Sequence, residues 1–190
     1  LCELRTLVVR DCARLYHLPA LQGAAVAQKL RELEVHGCAV HDVTLLGLPH
    51  LRRVSVSECP GAACVATTEC RALACVRVSD CAKLEELHVS ACAALARLRV
   101  ERCPRLRRLA AAGCARLAQL ELAQAAPGIV NVSGCTELSA DALPERLGSL
   151  DVSGCTQLTR LRALPEKRLV ARGCTQLRAD APLDISVLDC

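Results

Sequence analysis

Cysteine recurs in this chain at a fixed interval: from Cys59 the next five fall at Cys70, Cys81, Cys92, Cys103 and Cys114, each 11 residues on. A period so short, held for so long, makes the chain a stack of like units. Aligned on those cysteines, Leu84 opens L-E-E-L-H-V-S-A-C, Leu95 opens L-A-R-L-R-V-E-R-C and Leu106 opens L-R-R-L-A-A-A-G-C. The unit is L-x-x-L-x-V-x-x-C plus two residues. It runs back through Leu73-Val76-Val78-Cys81, Ala62-Val65-Thr67-Cys70 and Leu51-Val54-Val56-Cys59, and forward into Leu117-Leu120-Leu122-Ala125. Looser copies flank it, among them Leu4-Leu7-Val9-Cys12, Leu30-Leu33-Val35-Cys38, Leu147-Leu150-Val152-Cys155 and Ile185-Val187-Cys190. Residues 1–190 therefore read as a single solenoid domain with no separate second unit.

The L-x-V step alternates apolar and polar residues with a period of two, so each unit supplies a short strand with Leu and Val inward. Turn formers follow, as in Ser-Gly-Cys at 133–135 and Arg-Cys-Pro at 102–104. Eleven residues are too few to make a strand, turn, cross back and rejoin the same sheet. Two units, 22 residues, complete one coil, with a strand on each flank and about eight or nine coils in all. On that basis Glu86 stacks on Arg108 and Arg99 on Glu121, both favourable, whereas an 11-residue stagger would set Arg97 on Arg108. Spacing widens to 26 between Cys12 and Cys38 and shrinks to 16 before Cys190. The return side there is expected to be irregular or partly helical, for example over Gly23–Lys29.

Composition narrows the function. Apolar residues make up 52% of the chain, yet Phe, Trp and Met are absent and Tyr16 is the sole aromatic residue. Leu, Val, Ala and Cys must fill the core, which suits stacked layers and argues against an aromatic-lined pocket, so no cofactor is expected. No apolar run reaches 18 residues, so no membrane span is expected. The chain carries no initiator Met, opens inside a motif at Leu1 and closes one at Cys190. It therefore reads as a piece of a longer protein in which flanking sequence or a partner covers both ends.

Twelve of the fifteen cysteines occupy the terminal position of the repeat, which predicts a buried ladder of free thiols donating weakly to backbone carbonyls. Free thiols imply a reducing compartment, intracellular and most simply cytoplasmic. Cys64 and Cys75 break the ladder and fall on outward positions of opposite flanks, where they cannot bridge each other. No C-x-x-C knuckle occurs, and His17, His36, His41, His50 and His88 do not cluster with paired cysteines, so no metal site is expected. Nucleophile elbows, zinc-protease motifs and Gly-rich phosphate loops are absent from the sequence, and no catalytic role is expected.

The segment L-x-x-L-x-V-x-x-C resembles the conserved stretch of leucine-rich repeats, whose last position is often Asn and is Cys in the cysteine-containing subclass. The 11-residue nesting is similar to the variant called IRREKO, in which the second half of each repeat imitates the first. Residues 143–158 resemble the short repeats of bacterial effector proteins and plant immune receptors. The resemblance implies a leucine-rich-repeat solenoid of stacked parallel strands that acts as a protein-binding scaffold.

Between Lys83 and Arg116 lie eight basic residues against three acidic ones, a local balance of +5 where the whole chain has +4. Arg77, Arg97, Arg99, Arg102, Arg105 and Arg108 are the candidate partner-binding residues. Arg77 and Arg99 stack on one flank, Arg108 falls on the other, and Arg102 and Arg105 lie near a turn. An acidic protein partner is the first expectation. RNA is the second, since Arg suits phosphates but no aromatic rings are available to stack on bases. Two competing readings are a structural subunit of a large assembly and the recognition module of a multidomain effector or ubiquitin-ligase-type enzyme.

Overall fold

A computed structural model describes residues 3–18, 21, 27–143, 147–161 and 165–178. Its strands, in chain order, are β1 (Thr6–Arg10), β2 (Glu32–His36), β3 (Asp42–Leu46), β4 (Arg53–Ser57), β5 (Cys64–Thr68), β6 (Cys75–Ser79) and β7 (Glu86–Ser90). They continue with β8 (Arg97–Glu101), β9 (Arg108–Ala110), β10 (Gln119–Ala123), β11 (Ile129–Asn131), β12 (Ser149–Asp151) and β13 (Arg168–Val170). Alternate strands go to opposite flanks. One sheet runs β1-β2-β4-β6-β8-β10, the other β13-β12-β11-β9-β7-β5-β3, and every pairing is parallel.

The molecule is thus a repeat solenoid with a 22-residue coil through its regular section: Val54 pairs with Val76, and Val76 with Leu98. Within each strand exposure alternates, because side chains at positions two apart share a face, and the inward Leu and Val columns fill the space between the sheets. With six and seven strands on the two flanks, the described residues make about seven turns rather than the expected eight or nine. The last motif, Ile185-Val187-Cys190, lies outside the described residues, and the wide first spacing uses more chain per coil.

After β10 the two-sided pattern stops. β11, β12 and β13 all join the seven-stranded sheet, with Ile129, Ser149 and Arg168 in register at intervals of 20 and 19. Their return side carries no strand among the described residues and includes a 3₁₀ turn at Ala140–Ala142, in keeping with the irregular return expected outside the regular units. Of the segment Gly23–Lys29, Ala27–Lys29 forms a 3₁₀ turn and the rest lies outside the described residues.

The expected single thiol ladder is two ladders, one at the corner of each sheet, because successive units alternate flanks. Cys12, Cys38, Cys59, Cys81 and Cys103 stack beside the six-stranded sheet. Cys70, Cys92, Cys114, Cys135, Cys155 and Cys174 stack beside the other. Every cysteine among the described residues is free. In the second stack the thiols tie neighbouring coils, as Cys114 Sγ donates to Val89 O at 3.0 Å and Cys155 Sγ to Val132 O at 3.2 Å. In the first each thiol bonds back to its own strand, as Cys81 Sγ does to Ser79 O at 3.3 Å and Cys103 Sγ to Glu101 O at 3.3 Å, and Cys38 and Cys59 also reach the neighbouring coil at Val9 O and Val35 O. The ladder ends differ from its middle: Cys12 is exposed and Cys174 half-buried.

The corner before each ladder cysteine is left-handed. Asp80, Ala91 and Arg102 adopt φ of 56°, 55° and 49°, and Gly113, Gly134 and Gly154 take the same place in later coils at φ 73°. The sharp turn into the corner requires this conformation, which glycine adopts freely and Ala91 only under strain.

Candidate functional site

The outward face of the six-stranded sheet carries two rows of side chains set by its register. One row reads Arg53, Cys75, Arg97, Gln119 across β4, β6, β8 and β10, and the other reads Glu34, Ser55, Arg77, Arg99, Glu121 from β2 onward. Neighbouring positions lie one strand apart, about 4.8 Å, and alternate residues of one strand about 7 Å apart. Four guanidinium groups therefore share these two rows. Arg53, Arg77, Arg97 and Arg99 are all exposed.

Their neutralisation is uneven. Arg53 meets Glu32 at 3.2 Å, and Arg99 reaches Glu121 at 3.2 Å while its Nε donates to Glu101 at 2.6 Å. No carboxylate lies within ion-pair distance of Arg77 or Arg97 among the described residues. The reason is the register: Arg77 has Ser55 and Arg99 as neighbours, and Arg97 has Cys75 and Gln119.

The six arginines singled out from the sequence do not form one site. Arg77, Arg97 and Arg99 share the face just described. Arg102 stands at the left-handed corner, where its Nη2 donates to Asp80 at 2.7 Å, and the bidentate guanidinium holds the Asp80 carboxyl below its usual range. Arg105 is exposed in the following turn. Arg108 belongs to the opposite sheet, 3.8 Å from Glu86. The predicted pairs Glu86–Arg108 and Arg99–Glu121 both form, and Arg97 and Arg108 lie on different sheets. Arg53 escaped the sequence reading although it lies 44 residues, two full coils, before Arg97. It falls outside the stretch of local basic excess, and only the sheet register joins it to the others.

The two outward cysteines face opposite electrostatics. Cys64, in β5, pairs across to Asp42 and Glu86, and burial together with those two carboxylates pushes its thiol up from the ordinary value. Cys75, in β6, lies in register between Arg53 and Arg97. Both are half-buried. Among the described residues no group of three or more His, Cys, Asp or Glu side chains is placed to hold a metal ion. Among the described residues no helix is long and apolar enough to cross a membrane. The chain matches no protein-family model and no curated protein at a significant level.

Proposed function

We propose that this chain is a leucine-rich-repeat scaffold, without enzymatic activity of its own, that binds a protein partner through outward strand residues of the six-stranded sheet. The observation that carries the reading is the pair Arg77 and Arg97: two exposed guanidinium groups on a flat face, left without a carboxylate among the described residues while their neighbours are paired. Flat parallel strands hold such groups at fixed spacing, which favours recognition of a complementary surface over chemistry on a small substrate. Free, mostly buried thiols support an intracellular, reducing setting.

Site-specific photo-crosslinking in cells tests this. A crosslinker at Ser55 or Gln119, beside the arginine rows, is expected to give a discrete crosslinked protein. The product should disappear in an Arg77→Glu/Arg97→Glu variant whose far-UV circular dichroism is unchanged. Crosslinks arising equally from Ala66 on the opposite sheet, or surviving the double variant, would overturn the reading.

A further inference from the structure

A second arginine column borders the same sheet, at the position just before each strand. Arg31 N donates to Arg5 O at 2.7 Å and Arg52 N to Arg31 O at 2.7 Å, so the three residues stack one strand apart. The column continues as Ala74 and Ala96, through Ala74 N to Arg52 O at 2.9 Å and Ala96 N to Ala74 O at 3.0 Å. Arg5, Arg31 and Arg52 are exposed. Beside them a shallow depression of about 250 Å³ is lined by Glu3, Arg5, Lys29, Arg31 and His50. The sequence hides this column because its intervals, 26 and 21 residues, obey neither the 11 nor the 22 period.

Three arginines of this sheet take a carboxylate from an adjacent strand: Arg10 with Glu34 at 2.8 Å, Arg53 with Glu32, Arg99 with Glu121. Glu3 likewise serves Lys29 and, at 4.0 Å, Arg5. Arg31, Arg52, Arg77 and Arg97 are left with none among the described residues. Along the solenoid axis Arg31 and Arg52 stand just before β2 and β4, and Arg77 and Arg97 fall on β6 and β8, successive strands of one sheet. From the strand of Arg31 to that of Arg97 is three strand spacings, about 14 Å, the length of about four extended residues.

From this juxtaposition we infer that the strand-start side of the six-stranded sheet carries a binding strip, running along the solenoid axis through Arg31, Arg52, Arg77 and Arg97, for an extended acidic protein segment of about four residues. The inference rests on the partner-binding reading above and names the partner's chemistry and its path. Carboxylates are the occupant the sheet itself supplies to its other arginines, and planar guanidinium forks take them in two-point geometry. A single-stranded nucleic acid would gain from stacking platforms, and the described face has no Phe, Tyr or Trp side chain.

Fluorescence anisotropy on the full chain, with a labelled eight-residue alternating Glu-Ser peptide as probe, tests the strip. The peptide is expected to bind, and to do so far more weakly as salt rises, whereas its Gln-Ser counterpart does not bind. Arg31→Gln/Arg52→Gln should weaken binding about tenfold, while Arg71→Gln/Arg116→Gln, an equal loss of charge at exposed arginines elsewhere, changes it less than twofold. If Arg31→Gln/Arg52→Gln has no effect but Arg77→Gln/Arg97→Gln does, the extended strip is wrong and the central face survives as the partner surface. If neither pair matters, both readings fall. Equal or tighter binding of a twelve-nucleotide oligouridine or of tripolyphosphate would overturn the choice of an acidic peptide.

Discussion

Replacing Thr67 by Val should stabilise this protein. Thr67 lies on β5 in the inward column between Leu45 and Val89, is fully buried, and its Oγ1 has no hydrogen-bond partner. A buried hydroxyl without a partner costs about 1–3 kcal/mol, because the water it bonded in the unfolded chain is not replaced. Valine has nearly the same shape, so the substitution removes the polar group without opening a cavity or crowding Leu45 and Val89. The expected gain is about 1–2 kcal/mol, or a rise in Tm of about 3–6 °C for a chain of this length. In a solenoid the gain should be local, so amide exchange should slow in β3, β5 and β7 and stay unchanged in β12 and β13. Urea unfolding followed by circular dichroism, with hydrogen exchange by mass spectrometry, measures both. The converse change, Val89→Thr, should cost about 1–3 kcal/mol by placing a second hydroxyl in the same dry column. A neutral or destabilising Thr67→Val would refute the reasoning, since it would mean that the hydroxyl is satisfied.

Four further outcomes are expected. Ala91→Gly should raise stability by up to about 1 kcal/mol in thermal melts, because it relieves a left-handed alanine in a column where Gly113 already stands. Gly148→Ala should lower it by about 1–3 kcal/mol in the same melts, because the new Cβ would lie 2.7 Å from Gly128 O, a backbone atom that cannot swing away. In the folded protein an alkylating reagent should modify Cys12 and Cys75 first, then Cys64 and Cys174, whose thiols burial pushes up, and should spare Cys92 and Cys114, as peptide mass mapping would show. Burial pushes the Cys135 and Cys155 thiols up to about 12, so between about pH 9 and pH 12 the folded state keeps protons that the unfolded chain releases, and stability falls as pH rises. Equal urea midpoints at pH 8 and pH 10 would contradict that last expectation.

Much of the architecture was legible in the residues because a repeat multiplies a weak signal. One L-x-V step is ambiguous, but seven in one register specify which side chains go inward, and the pairing of Glu86 with Arg108 follows from a coil of 22. The thiol positions were equally legible, and their division into two ladders follows once alternate units are sent to opposite flanks. Other features have no local signature. That β11, β12 and β13 all join one sheet depends on how each longer unit folds its return side, where 20 and 19 residues make a single strand. Whether an arginine is neutralised depends on what the neighbouring coil presents: Arg99 and Arg77 look alike in sequence, yet Arg99 has Glu121 beside it and Arg77 has Ser55. The sequence by itself determined the period, the inward columns and the stacking of parallel strands, because burial of Leu and Val at fixed spacing admits one arrangement. Only the tertiary structure decided which charges are left without a partner, since most ion pairs join residues more than twenty apart in the chain and one strand apart in space.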